Sequence, residues 1–227
     1  MSSKKIAVNN YVYCKINEDW LEARVVIIHP NQKDDGTKDA YRKFTVHLLS
    51  TYSIYPEPIP SPNVHLSSIE NYKKYKISSL RHLLRNIHIP PTLMNYLQKD
   101  VNEKIVTSLP ARFSVNEIIY LFKQFMSVNK ATVIEGELIE MVNGFIYYFN
   151  IAIKYCLLYK NEIDQYNNIT EQPSSVYGAK HLLRLIYLIQ SKYVSECNNT
   201  ELKDILYEYS VYLLDYLDLK YKEYFDE

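Results

Sequence analysis

The apolar residues of this chain change their spacing part-way along it. Up to about residue 66 they come in short runs, Tyr11 to Ile16, Leu21 to His29 and Tyr41 to Leu49, rich in Val, Ile, Tyr and Phe and separated by polar turns. Such runs predict strands. Pro30 to Thr37 has loop chemistry, and four prolines within YPEPIPSPNV exclude helix and central strand there. Val64 to Leu66 reads as a short closing strand, so the first part predicts a small barrel-like β module.

Beyond it the period becomes helical. IPPTLMNYLQKD starts a helix at its prolines, with Leu93, Tyr96 and Leu97 on one side. In LPARFSVNEIIYLFKQFM, Ser114 and Glu117 have the spacing of a capping box. From Met141 the positions Met141, Phe145, Tyr148, Phe149, Ala152 and Tyr155 or Cys156 form one predicted face, and after a break at Pro173 the positions Leu182, Leu185, Ile186 and Ile189 form another. A last helix starts at Asn199 or Thr200 and carries Leu202, Ile205, Leu206, Tyr209, Leu213, Tyr216 and Leu217. The pattern predicts an α+β chain of two domains, β first and about five helices second.

Composition adds limits. A chain of 227 residues that is 47% hydrophobic has material for packed cores, which argues against global disorder. The formal net charge of zero argues against indiscriminate nucleic-acid binding over the whole surface. Lys and Arg nonetheless outnumber Asp and Glu between residues 76 and 130, and the reverse holds from 131 to 227. Cys14, Cys156 and Cys197 are too few and too scattered for a disulfide framework or a zinc site, which suits a reducing compartment. No apolar stretch reaches the length of a membrane span, and MSSKKIAVNN lacks the core of a signal peptide.

Reactive groups are sparse. The four glycines form no phosphate-binding cluster, and the six histidines show no metal-ligand spacing. His181, inside an apolar run, reads as a hydrogen-bonded packing or groove residue rather than a general base. No catalytic residue, metal, cofactor or small-molecule substrate is expected. The aromatic residues allow two other uses. Trp20, Tyr13, Tyr52 and Tyr55 either pack a barrel or cage a methylated ammonium at its mouth. Tyr148 and Tyr177 either fill a helical core or line a peptide groove.

The segments LPAR at 109–112, EMVNGFIYYFNIAIKYCLLYKNEIDQY at 140–166 and SSVYGAKHLLRLI at 174–186 closely resemble the MRG domain of mortality-factor-related chromatin proteins. The resemblance covers roughly residues 86–227 and implies an all-helical, non-enzymatic adaptor of histone acetyltransferase and deacetylase complexes. VYCKINEDWLEARVV and FTVHLLSTYSIYPEPIPSPNV resemble the SH3-like chromo barrel that precedes this domain in the family. The expected organisation is a barrel at 1–67, an MRG domain at 86–227 and, between them at 68–85, a connector that helical spacing and its lysines and arginines mark as basic and helical and that is shorter than the family's usual linker.

The resemblance also implies site residues. Partner segments should meet Leu93, Tyr96, Leu97, Phe145, Tyr148, Phe149, Tyr177, His181, Leu182 and Leu185. The five aromatic positions of the family's methyl-lysine cage hold Ile16, Leu21, Leu48, Thr51 and Tyr55, leaving Tyr55 with the neighbouring Trp20 and Tyr52 as a remnant. Each lost ring removes roughly 0.5–2 kcal/mol of cation–π attraction, so methyl-lysine binding should be weak or absent. The expected partners are protein subunits of chromatin-modifying complexes in the nucleus, with histone tail or nucleosomal DNA at most weakly bound and no membrane. The alternative is a histone-tail or nucleic-acid reader acting through the barrel.

Overall fold

The computed structural model describes residues 5–33, 40–68, 71, 89–193 and 199–225. The expected connector helix at 68–85 falls almost wholly outside those residues. The chain divides into two compact units: residues 1–88 with Phe125–Val133, and residues 89–124 with 134–227.

The first unit is built on an antiparallel sheet. Its strands are β1 (Tyr11–Ile16), β2 (Asp19–Ile28), β3 (Gln32–Lys33), β4 (Ala40–Tyr41), β5 (Lys43–Leu48), β6 (Ser53–Ile54), β7 (Ile59–Pro60) and β8 (Val64–Leu66). The main sheet runs β6-β5-β2-β1-β8, with β7 also on β5, while β3 pairs with β4 in a separate two-stranded sheet. A two-residue turn at Asn17–Glu18 joins β1 to β2, and Asn17 takes the positive φ of 54° that such hairpins need and asparagine tolerates. Proline is confined to short pieces: Pro60 ends a two-residue pairing with β5, and Ser61–Asn63 is a single tight turn.

Alternate residues fill one face of the sheet. Val12 and Cys14, Ala23 and Val25, and Phe44, Val46 and Leu48 form its core with Ile59 and Val64. Burial in that core pushes the Cys14 thiol up to about 12, which makes it inert. The opposite face is buried as well, and it is not apolar. Glu22 and Lys130 are each about nine-tenths buried or more and meet at 2.5 Å, Ser67 Oγ donates to the same Glu22 oxygen at 3.0 Å, and Phe125 sets its ring edge-on to Tyr11. The segment Phe125–Val133, remote in sequence, therefore completes this unit.

The second unit is helical: α1 (Pro91–Glu103), α2 (Val115–Asn129, its residues to Gln124), α3 (Glu135–Ala152, widening into a π turn at Ile153–Leu157), α4 (Ile163–Asn167), α5 (Pro173–Val176), α6 (Ala179–Leu188, with a second π turn at Ile189–Tyr193), α7 (Thr200–Leu219) and α8 (Tyr221–Tyr224). The expected start signals are in place. Pro91 occupies the first turn of α1, and Asn199 caps α7 by accepting from Leu202 N. At α2, Ser114 Oγ accepts from Glu117 N at 3.2 Å while Glu117 Oε2 accepts from Ser114 N at 2.8 Å, a complete capping box.

Two helices are enclosed on every side, α6 from Ala179 to Ile186 and α7 from Tyr209 to Leu217. The helix α6 packs on α1, α3 and α7. The buried face of α3 is Leu138, Val142, Phe145, Phe149, Ile153 and Leu157. This corrects the expected face: Tyr148 and Tyr155 point outward and Met141 is half-buried. The helix is apolar almost all round, so periodicity alone does not say which stripe the core covers.

Candidate functional site

The family-like segments converge on one place in the helical unit. The loop from Lys104 to Phe113, which contains LPAR, is tied down from both of the other segments. Asn161 Nδ2 donates to Lys104 O, Gln165 Nε2 to Thr107 O and Lys180 Nζ to Ile105 O, at 2.6 to 2.9 Å. Ala111 N donates to Val176 O and Val115 N to Tyr177 O, both at 2.8 Å. Gly178 is where the loop comes closest: a Cβ there would lie 2.8 Å from both Ala111 Cβ and Phe113 O. Only glycine fits that approach.

Beneath the loop is a buried charge network. Arg184 donates through Nε and Nη2 to both oxygens of Asp100 at 2.6 and 2.8 Å, through Nη1 and Nη2 to Glu162 at 2.7 and 3.3 Å, and through Nη1 to Leu157 O at 2.7 Å. All five guanidinium donors are used. Lys180 Nζ sits 3.6 Å from Asp100 and 3.4 Å from Glu162, and His181 Nε2 lies 3.1 Å from Glu162 Oε1. The Tyr159 ring lies 4.0 Å under the Arg184 guanidinium, and its hydroxyl donates to Asp100. Two carboxylates face two cations, so the network is neutral when His181 is neutral.

His181 is neutral. Burial, aided by the charges of Arg184 and Lys180, holds it at about 4 against the hydrogen bond to Glu162 that favours its proton. Burial pushes Glu162 up, yet hydrogen bonds from His181 and Arg184 outweigh it and hold the carboxyl well below the usual range. Both shifts make the fold acid-labile. The unfolded chain takes up the His181 proton near pH 6.5 and the folded chain only near 4, so stability falls as pH drops through that window. Below about 4.3 the loss continues as the unfolded Glu162 protonates first. Urea titrations should show up to about 3 kcal/mol lost between pH 6.5 and 4, with a shallower slope in His181→Gln. Equal slopes in both chains would contradict this assignment.

The structure corrects most of the expected partner-binding residues. Leu93, Leu97, Phe145, Phe149, Tyr177, His181, Leu182 and Leu185 are all buried in the helical core, with His181 at the edge of a small cavity beside Phe225. Tyr177 packs edge-on against His181 at 4.6 Å, and its hydroxyl has no hydrogen-bond partner among the described residues. Tyr96 is half-buried, with the Phe225 ring 4.7 Å away. Tyr148 alone of the ten is open, at 54% exposure. It belongs to an outward stripe of α3 that the sequence reasoning missed, with Tyr147, Ile151 and Tyr155, exposed by 64%, 46% and 76%. Four large apolar side chains so exposed on one helix are unusual on a free surface.

The cage remnant is also engaged. Trp20 lies 5.3 Å from the His65 ring, Tyr52 is buried with its ring 6.3 Å from His47, and Tyr55 is half-buried on the sheet core. Among the described residues no group of three or more His, Cys, Asp or Glu could hold a metal.

The family model described as MRG matches residues 67–227. The chain belongs to the MRG family. The match takes in the loop, the charge network and the α3 stripe. MRG relatives include the chromatin modification-related protein EAF3 of Candida albicans, 34% identical over 117 residues, which is 44% of this chain and 32% of that protein. The NuA4 complex subunit EAF3 homolog of Dictyostelium discoideum is 36% identical over 132 residues, 52% of this chain and 33% of its own. Protein MRG1 of Arabidopsis thaliana is 36% identical over 109 residues, 45% of this chain and 34% of its own. Each match spans about a third of the relative's length. The signature that marks this MRG chain is thus made of loop anchors and buried charges, which hold the fold together.

Proposed function

We propose that this chain is a non-enzymatic chromatin adaptor, a nuclear subunit of a histone acetyltransferase or deacetylase assembly that binds hydrophobic segments of partner subunits through its helical unit. Membership of the MRG family and the names of its relatives support this reading. The observation that carries it is the exposed stripe Tyr147, Tyr148, Ile151 and Tyr155 on α3. Rigid tyrosine rings give a partner a large contact area at low conformational cost. Tyr147 and Tyr148 already brace each other edge-on at 5.9 Å.

Tyr148→Ala combined with Ile151→Ala is expected to weaken co-purification of complex subunits about ten-fold or more, as loss of a hot spot does. Both residues are exposed, so thermal unfolding should change little. Undiminished co-purification of the acetyltransferase or deacetylase subunits would move the partner surface elsewhere.

A reader function of the sheet unit has less support. Three of the family's cage positions that remain apolar, Ile16, Leu21 and Leu48, are buried or half-buried, and the nearby aromatic rings are turned to histidines or to the core. Weak or absent methyl-lysine binding follows from the loss of facing rings.

A further inference from the structure

The chain between α2 and α3 is anchored by apolar contact at its start and by charge further on. At its start Met126 is fully buried and Phe125 sets its ring edge-on to Tyr11 at 6.2 Å. Beyond them, Lys130 is the one buried residue from 127 to 133, so a charged side chain takes the place of an apolar anchor. Lys130 Nζ donates to Glu22 Oε1 at 2.5 Å and lies 5.8 Å from the centre of the Tyr11 ring. Ser67 Oγ donates to the same Glu22 oxygen at 3.0 Å and accepts from Thr132 Oγ1 at 3.2 Å. Asn10 Nδ2 donates to Asn129 Oδ1 at 3.4 Å. A carboxylate and an aromatic ring on β2 and β1 thus hold one ammonium of this segment.

Both charges are enclosed, with the Lys130 and Glu22 side chains 6% and 7% exposed. Such a pair is stable only as a pair, because either charge left alone has lost its water without gaining a partner. Replacing both with apolar groups of similar size is by contrast close to neutral. The backbone that the pair fastens has little hold of its own. Residues 127–129 end α2, where helices fray, and beyond them Val133 N reaches Lys130 O only at 3.4 Å. The strands have a separate source of stability, since the apolar core of Val12, Ala23, Val25 and Val46 lies on the opposite face of the sheet.

We propose that residues 127–133 are a strap keyed by charge, which closes on the sheet while Glu22 and Lys130 are paired and opens when one of the two charges is lost, the strands staying folded. Fraying of the last turn of α2 beyond Met126 is the movement this requires. Opening uncovers the Tyr11 ring and the Glu22 carboxylate, the two groups that held the ammonium. A face that is closed and neutral in the strapped form becomes acidic and aromatic in the open one. The device lies in the sheet unit and is separate from the adaptor surface on α3.

The test is amide hydrogen exchange, read by mass spectrometry on the full chain and on three variants of it: Lys130→Met, Glu22→Leu, and the two combined. In each single variant the amides of residues 127–133 should exchange at least ten-fold faster than in the unaltered chain. Those of residues 11–25 should keep their protection, and the emission of Trp20, the one tryptophan of the chain, should not move. The combined variant should regain most of the lost protection, because it leaves no buried charge without a partner. Unchanged exchange at 127–133 in both single variants would overturn the proposal, since the pair would not be what closes the strap. Parallel loss of protection at 11–25 would overturn it as well, because the pair would then be plain core of the sheet unit. So would a combined variant that exchanges as fast as the single ones.

Discussion

Arg184→Met is expected to remove about 3–5 kcal/mol of the stability of the helical unit at neutral pH. The substitution removes all five donors from a site where Asp100 and Glu162 are almost fully enclosed. It leaves two carboxylates with Lys180 as the only full cation in the network. Breaking a buried pair by deleting one partner costs about 3–5 kcal/mol, a large share of the roughly 5–15 kcal/mol that stabilises a domain. Arg184→Lys should rescue little, because an ammonium cannot donate in the planar fork that meets both carboxylates and Leu157 O. Urea denaturation followed by circular dichroism checks this. A loss below about 1 kcal/mol for either variant would show that the network contributes little.

Gly178→Ala should be nearly as damaging for a different reason. The added methyl would lie 2.8 Å from Ala111 Cβ and from the Phe113 carbonyl, both fixed by the backbone. The loop cannot retreat without stretching the Ala111–Val176 and Val115–Tyr177 hydrogen bonds on either side of the contact. Overpacking of this kind costs about 1–3 kcal/mol or more. Gly144→Ala is the matched control. It lies inside α3 with nothing within 4 Å of a new methyl, so the helix should gain up to about 1 kcal/mol from the better helix former. Melting temperatures shifting in opposite directions would confirm the contrast, and a shift of the same sign in both would remove the role given to Gly178.

These two substitutions explain why the LPAR and VYGAKHLLRL segments occur together. Gly178 exists for the loop, Lys180 donates to the loop, and Arg184 and His181 hold the charges on which α1 and the turn after α3 are anchored. A segment specific enough to reveal a family need not be its binding surface. Here most of it is buried, and its most exposed apolar part is the outer stripe of α3.

The helix starts and the strands of the sheet unit were legible because their signals are local. A capping box at Ser114 and Glu117, a proline at the head of α1 and alternation in β1, β2 and β5 act over a few residues and survive any tertiary context. The inward face of α6 was legible for its apolar residues, Leu182, Leu185, Ile186 and Ile189, all buried as their spacing predicts. His181 on the same helix read as a hydrogen-bonded packing or groove residue, while the burial of Lys180 and Arg184 was not legible, because burial of charge depends on partners such as Asp100 and Glu162, which lie 84 and 22 residues from Arg184 in sequence.

By itself, then, the sequence determined the order of the main strands and the longer helices, several of their start signals, the change from strand to helix and the family. Those features follow from short-range backbone preferences and from a long motif. Tertiary structure alone decided which stripe of the doubly apolar α3 is covered, that Phe125–Val133 completes the sheet unit through Glu22 and Lys130, and that Tyr221 and Phe225 pack their rings against Tyr96. Periodicity reports how apolar a face is. Whether that face meets the core or the solvent depends on contacts between residues that only the folded chain brings together.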